Sequence, residues 1–176
     1  GLAIGEPPTT KGYPPSVFAQ LPRLLERAGT GRVGSITGLY TVLVEGDDFN
    51  EPVADAARSI LDGHIVLSRH LAAGKHFPAI DVLGSVSRVR DDVIDPLQLD
   101  AATTVLRAES AYRHHEDLLA VGAYKPGADR QVDAALAHRK EMLGFLRQQA
   151  DESSTYESAR ERLLELAGRL ESHQSG

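Results

Sequence analysis

Two arginines close the stretch "FPAIDVLGSVSRVR", residues 77–90. A guanidinium carried just past a short apolar strand is placed to meet an anion, and its planar fork matches a phosphate. A solvated charge on a surface loop is the other reading of Arg88, and the residues alone leave both open. Arg90 is its nearest competitor. Phe77 lies eleven positions before Arg88, and Tyr124 sits in "VGAYKPG". Each offers a flat face that could stack on a base or pack into a core. Asp47, Asp48 and Glu51 gather on the turn "GDDFNEP". They form either a polar, solvated loop or a contact loop at the carboxyl edge of a sheet, where ligands and partners of open parallel sheets collect. His114 and His115 are neighbours, so on a helix they diverge by about 100° and cannot face one metal ion. No metal site is expected from these residues. No GxxxxGK[ST], HExxH or GxSxG motif is present.

Composition narrows the classes. The chain has 176 residues, enough for a real core in one domain or two small ones. With 41% hydrophobic and 25% charged residues it reads as an ordinary globular protein. Its formal net charge of -6 argues against broad nucleic-acid binding, which needs a basic surface. The absence of cysteine removes disulfides, thiolate metal sites and Cys nucleophiles together. No apolar run approaches the ~18 residues a membrane span needs. The start, "GLAIGEPPTTKG", lacks the pattern of a signal peptide and has no initiator Met, so it reads as the middle of a longer chain.

The elements that must position these residues follow from pattern. Residues 5–15, rich in Gly and Pro, form a loop. Phe18, Leu21, Leu24 and Leu25 mark a helix with Gly29 as its C-cap and Pro22 as a kink or a later start. Leu39 to Val44 is nearly continuously apolar, which predicts a strand covered on both faces, as in a parallel sheet. A short helix over "PVADAARSILDG", a strand "HIVLS", a helical turn "SRHLAAG" and an extended "PAIDVLGSVS" follow. Strand, helix, strand, helix, strand over residues 33–90 is βαβ logic with a parallel sheet. Beyond Pro96 only helical periodicity appears. One helix is expected over 98–121 and "GAYKPGAD" breaks it. A second is marked by Val132, Ala135, Leu136, Leu143 and Leu146, and a third by Tyr156, Ala159, Leu163, Leu166 and Leu170, opening at Ser154 or Thr155. The tail "ESHQSG" is expected to be disordered.

The runs "GEPPTTKGYPPSVFAQLPRLLERAG", "GSITGLYTVLVEGDDFNEPVADAARSILDGHIVLSRHLA" and "HFPAIDVLGSVSRV", with the later "VGAYKPGAD", resemble the flagellar and type III secretion export ATPases, cousins of the catalytic subunits of rotary ATP synthases. The likeness covers roughly residues 3–146 in order and spacing. "GYPPSVF" and "GAYKPG" favour the flagellar and secretion branch over the synthase branch, and the flagellar member is expected. The resemblance implies an α/β fold class: residues 1–95 as the C-terminal part of a RecA-like P-loop ATPase core with parallel strands, and residues 96–176 as an all-helical C-terminal domain.

It implies more about sites and partners. The family forms a ring, expected to be a homohexamer, with ATP at each interface. Arg88 corresponds to the arginine that crosses to the neighbour's γ-phosphate, Phe77 to the aromatic on the adenine ring, and Tyr124 to the second aromatic of that pocket. Asp47, Asp48 and Glu51 correspond to a pore loop facing a central stalk protein. ATP and Mg2+ are the implied cofactors, with the phosphate and metal ligands in an N-terminal part missing from this chain, which alone is expected to be inactive. Export chaperone–substrate complexes and the export gate are the implied partners, with no nucleic acid and no transmembrane segment. The implied location is cytoplasmic, peripheral to the inner membrane at the flagellar basal body. The implied activity is ATP hydrolysis that energises protein export. The alternatives are a virulence secretion ATPase, a rotary synthase subunit, or a non-catalytic module that lends Arg88 to full-length neighbours.

Overall fold

The computed structural model describes residues 5–7, 12–48 and 50–175, with the side chains of Asp47 and Ser175 excepted. The chain divides into two compact units, Gly1–His64 and Ile65–Gly176.

The first unit opens with helix α1, Pro15–Leu25. Pro14 and Pro15 sit where the first turn has no use for an N–H. The Ser16 amide, one of the unpaired donors of that turn, finds Oε1 of Glu6 at 2.8 Å. Pro22 lies inside the helix, which continues past it to a C-cap at Glu26. Gly29, expected as the C-cap, instead begins a two-residue strand β1 (Gly29–Thr30) paired antiparallel with β2 (Ser35–Ile36). Helix α2, Pro52–Ile60, packs on α1 and buries Ala54 and Ala57.

The strand expected over Leu39–Val44 is not formed among the described residues. A strand exists only with a hydrogen-bonded neighbour, and residues 37–44 have none among the described residues. Leu39 is 92% and Leu43 88% exposed. Tyr40 is the exception in this segment: its hydroxyl donates to the Leu25 carbonyl at 3.4 Å. Its ring lies so close over Gly38 that a Cβ there would sit 2.6 Å from it. Glu45–Asp47 then forms a single 3-10 turn, with Gly46 at φ 59°, a left-handed value that favours glycine.

The second unit is built on β4 (Ile80–Ser87) and the last three residues of β3 (Gly63–Leu67), hydrogen-bonded neighbours in a two-stranded sheet. Helix α3, Arg69–Ala73, joins them and is capped by the Ser68 hydroxyl, which accepts from the Leu71 amide at 3.3 Å. After the short α4 (Arg90–Val93), helices fill the rest: α5 (Pro96–His114), α6 (Glu116–Ala120), α7 (Arg130–Ala137), α8 (Arg139–Leu146) and α9 (Tyr156–Ser175). Asp95 caps α5, accepting from the Gln98 amide at 2.9 Å.

Two expected helices are each divided. The chain breaks at His115 between α5 and α6, and at His138 between α7 and α8. Neither His114–His115 nor Ala137–His138 contains Gly or Pro, so the breaks carry no compositional signal. The tail is a third correction, because α9 runs through the supposedly disordered residues to Ser175. Leu163, Leu166, Ala167 and Leu170 repeat at helical spacing and are buried against α5 and α7. Thr155 opens the helix, its hydroxyl accepting from the Ser158 amide at 3.2 Å.

The core of this unit combines those residues with Ala101, Val105 and Ala108 of α5, Ala134 and Ala135 of α7, and Met142 of α8. Half of these side chains are single methyl groups, so α5, α7 and α9 approach closely. Leu136 faces outward and Met142 takes the fully buried place expected of its neighbour Leu143.

Candidate functional site

Arg88 is the first residue beyond the end of β4 and is exposed. The strand that delivers it is shaped by Asp81. One carboxylate oxygen, Oδ1, accepts from the Leu83 amide at 3.1 Å, the Gly84 amide at 3.2 Å and Nη1 of Arg113 at 2.7 Å. That is an Asx turn set inside a strand. The Ser85 hydroxyl donates to the Asp81 carbonyl at 2.7 Å and accepts from the Val66 amide of β3 at 3.0 Å. Burial pushes the Asp81 carboxyl up, but the hydrogen bonds from Arg113, Gly84 and Leu83 and the charge of Arg113 outweigh it and hold it below its ordinary value.

Arg113 belongs to α5 and is shared. Its Nη2 is 3.7 Å from Oε1 of Glu109, one turn earlier. Glu109 is a buried carboxylate, and its other oxygen receives Nη1 of Arg139 at the start of α8. The Arg139 guanidinium also lies 3.9 Å from the centroid of the Tyr112 ring. A buried carboxylate is costly unless it is paired, and Glu109 is paired twice.

Phe77 is half exposed at the approach to β4. Its backbone is tied to the segment just beyond α8. The Gln148 amide donates to the Phe77 carbonyl at 3.0 Å. The preceding residue, His76, is buried, and its ring lies near the Leu146 backbone. Burial first, and then the charge of Arg147, lower its proton affinity below the ordinary histidine value.

Tyr124 lies on the turn between α6 and α7. Its hydroxyl can donate to Oδ1 of Asp133 at 3.0 Å or to the Asp129 carbonyl at 3.1 Å, and it accepts from the Asp129 amide at 3.2 Å. Burial and the hydrogen bond with Asp133 push its phenol up. Its ring meets the edge of His115, with centroids 5.9 Å apart, rather than Phe77.

The acidic turn divides by environment. The Asp47 side chain lies outside the described residues. Asp48 is partly exposed, and its Oδ1 accepts from the Asn50 amide at 3.1 Å. Glu51 does not fit the solvated-loop reading. It is 8% exposed and accepts from the Tyr13 hydroxyl at 3.3 Å. Its position before α2 explains this, because the chain turns inward there to start the helix.

The Asp81–Arg113–Glu109–Arg139 series was not anticipated from sequence. Glu109 and Arg113 stand four apart on a predicted helix, which is a visible pairing signal. Asp81 and Arg139 come from distant segments and carry none. Among the described residues no group of three or more His, Cys, Asp or Glu could hold a metal ion, and no helix is long and apolar enough to cross a membrane.

Comparison with known proteins supplies the frame for this geometry. Residues 1–87 match the model of the ATP synthase alpha/beta family, nucleotide-binding domain. Residues 94–165 match that of the T3SS EscN ATPase C-terminal domain. The flagellum-specific ATP synthase of Bacillus subtilis is 52% identical over 171 residues, a match covering 97% of this chain and 39% of that protein. The assembled ATPase EscN from the type III secretion system of enteropathogenic E. coli superposes with a TM-score of 0.91 at 47% identity, over 95% of this chain and 40% of that one. EscN in complex with its central stalk EscO superposes at 0.84 with 45% identity, again over 95% of this chain and 40% of that one. The chain therefore spans about two fifths of the length of these relatives.

Proposed function

Because the chain belongs to the family of flagellar and type III secretion ATPases, we propose that it is the C-terminal portion of a ring-forming ATPase that hydrolyses ATP to drive protein export through the flagellar apparatus. The exposure of Arg88 at the tip of a braced strand carries this reading. In the ring, Arg88 crosses to ATP held by the neighbouring subunit. Negative charge spreads over the phosphoryl oxygens during transfer, and a fixed planar cation stabilises that state more than the ground state. Such arginines are worth ~10³–10⁵ in rate, or roughly 4–7 kcal/mol. Phe77 presents its half-exposed ring to the adenine of the nucleotide bound by its own subunit, and Tyr124 supplies a second wall with its ring while its hydroxyl holds the turn.

The remaining assignments follow the same division. Residues 1–95 complete the nucleotide-binding core, and residues 96–176 form the helical domain that receives chaperone-bound export substrates before the export gate. Asp47 and Asp48 face the pore and a central stalk, a partner supported by the EscN–EscO complex. Glu51, held by Tyr13, shapes that loop from behind. The location is the cytoplasmic face of the inner membrane at the flagellar basal body. The residues of this chain fit the base and the γ-phosphate of ATP. The sequence has no GxxxxGK[ST] loop and the described residues offer no ligand set for Mg2+, and both are assigned to the remaining length of the parent protein.

The decisive experiment is Arg88→Ala in the full-length parent. Turnover should fall at least about a hundredfold while the KM for ATP stays within about twofold, because the arginine acts on the transition state. Unchanged turnover removes Arg88 from this role. The relatives carry both flagellar and virulence-secretion names, so virulence export is the second reading. Restoration of swimming in a strain lacking its flagellar export ATPase decides for the first, and failure there with restored virulence secretion decides for the second.

A further inference from the structure

We propose that Asp81 and Arg113 are positioning residues that aim Arg88. Their ion pair fixes the path of β4, and thereby the direction in which the guanidinium leaves the strand. The inference rests on the role proposed for Arg88 and extends it to two side chains that touch no nucleotide.

Three observations carry it. First, β4 is not a plain strand. Residues 81–84 fold into a turn whose two amides, Leu83 and Gly84, close on Oδ1 of Asp81. The final residues of the strand start from that turn, so any rotation of the Asp81 carboxylate redirects everything after it. Second, the same oxygen receives Arg113 at 2.7 Å. Arg113 stands in the last turn of a nineteen-residue helix whose other face is locked in the core by Ala101, Val105 and Ala108. A strand feature is thus referenced to the most firmly packed helix of the unit. Third, Arg113 is itself held from behind. Glu109 is buried between Arg113 and Arg139, and Arg139 stacks on Tyr112. The charges alternate along Arg139, Glu109, Arg113 and Asp81, so each interior member is satisfied on two sides. Ser85 meanwhile cross-braces the turn to β3 through the Val66 amide.

A structural bridge that only adds stability would not need its carboxylate to close a turn inside the strand. Here the oxygen that accepts the guanidinium is also the one that sets backbone direction seven residues before Arg88. Misplacing a reacting group by about 1 Å can cost about a hundredfold in rate, so a modest redirection of β4 is enough to matter.

The test is a double-mutant cycle on turnover in the full-length ATPase. Arg113→Ala alone should lower kcat about tenfold or more, with the KM for ATP within about twofold. In an Arg88→Ala background the same change should lower kcat less than about twofold, because there is no longer a guanidinium to aim. Arg113→Lys should recover part of the loss, since the charge remains and the fork does not. Asp81→Asn keeps an oxygen for the two amides but loses the ion pair, so it should fall between the wild type and Arg113→Ala. Equal fold-losses in both backgrounds overturn the proposal, as does wild-type turnover in Arg113→Ala. If Arg88→Ala leaves turnover intact, the role of Arg88 falls and the positioning with it. If Arg88→Ala collapses turnover while Arg113→Ala does not, the positioning alone falls. Ring assembly and the circular dichroism melt of each variant identify one that fails to fold. Should Arg113→Ala be such a variant, the same cycle run with Asp81→Asn decides, on the same criterion of equal or unequal losses.

Discussion

The Tyr124 hydroxyl lies 3.0 Å from the Asp133 carboxylate, closing the turn between α6 and α7 with a bond from a side chain at its start to one on the helix that follows. The Asp129 amide reaches back to the same hydroxyl. The phenol is therefore a turn fastener, and only its ring remains to serve a ligand.

Tyr124→Phe separates the two duties. It should lower the stability of the helical region by about 1 kcal/mol, the net worth of such a hydrogen bond. In the full-length enzyme it should leave the KM for ATP within about twofold, because the ring survives. Tyr124→Ala should raise that KM several-fold. A large KM change in Tyr124→Phe, measured by steady-state turnover, would transfer the binding role to the hydroxyl.

The Asp81 carboxyl makes the fold acid-sensitive. Its folded value is depressed below the ordinary 3.8 by Arg113 and the two amides, which together outweigh burial. A depressed acid contributes stability that is whole above about pH 4 and is lost as pH falls through the lower folded value. Urea midpoints between pH 3 and pH 7 should therefore decline at the acid end. The decline should be shallower in Asp81→Asn, which has nothing to protonate. Identical acid limbs for the two proteins would contradict this.

Much of the fold was readable. β4 and its flanks come from β-branched residues bounded by Pro78 and the charged "RVRDD", and α9 from leucines at helical spacing. The unreadable parts share a cause, which is that tertiary partners decide them. Leu39–Val44 has the residues of a buried strand, yet strand formation depends on a neighbour that propensity cannot supply. The tail after Leu170 is polar, yet it stays helical because buried leucines earlier in α9 anchor it and the Gln174 carbonyl accepts from Arg130 at 3.1 Å. The places of Arg88 just beyond β4 and of Phe77 just before it were legible from pattern. The contacts around them, Asp81 with Arg113 and Phe77 with Gln148, join segments 32 and 71 residues apart, and no local pattern announces them.

The uncovered apolar segment should govern how the chain behaves alone. Leu39 and Leu43 are largely exposed and, among the described residues, lie beside backbone with no strand partner, the features that invite strand-to-strand association. The chain should aggregate at high concentration, and Leu39→Lys with Leu43→Lys should reduce it clearly by light scattering. Equal scattering from both would acquit this segment.

Leu170 tests the corrected C-terminus. It is fully buried in the helical core, and Leu170→Ala should cost about 2–5 kcal/mol, from lost transfer energy plus a cavity. A frayed tail predicts no change. Thermal melting followed at 222 nm distinguishes the two.

The methyl-lined seam between α5, α7 and α9 has a narrow tolerance. Side chains as small as those of Ala101, Ala108, Ala134, Ala135 and Ala167 leave almost nothing to trim and no room for growth. Growth to valine or leucine at these positions is closed, and glycine costs helix stability as well. A bulkier residue there would wedge α5 away from its neighbours as a rigid rod, and the rod carries Arg113 at its far end. The place where this molecule is least able to thicken is thus joined, through Arg113 and Asp81, to the strand that ends at Arg88.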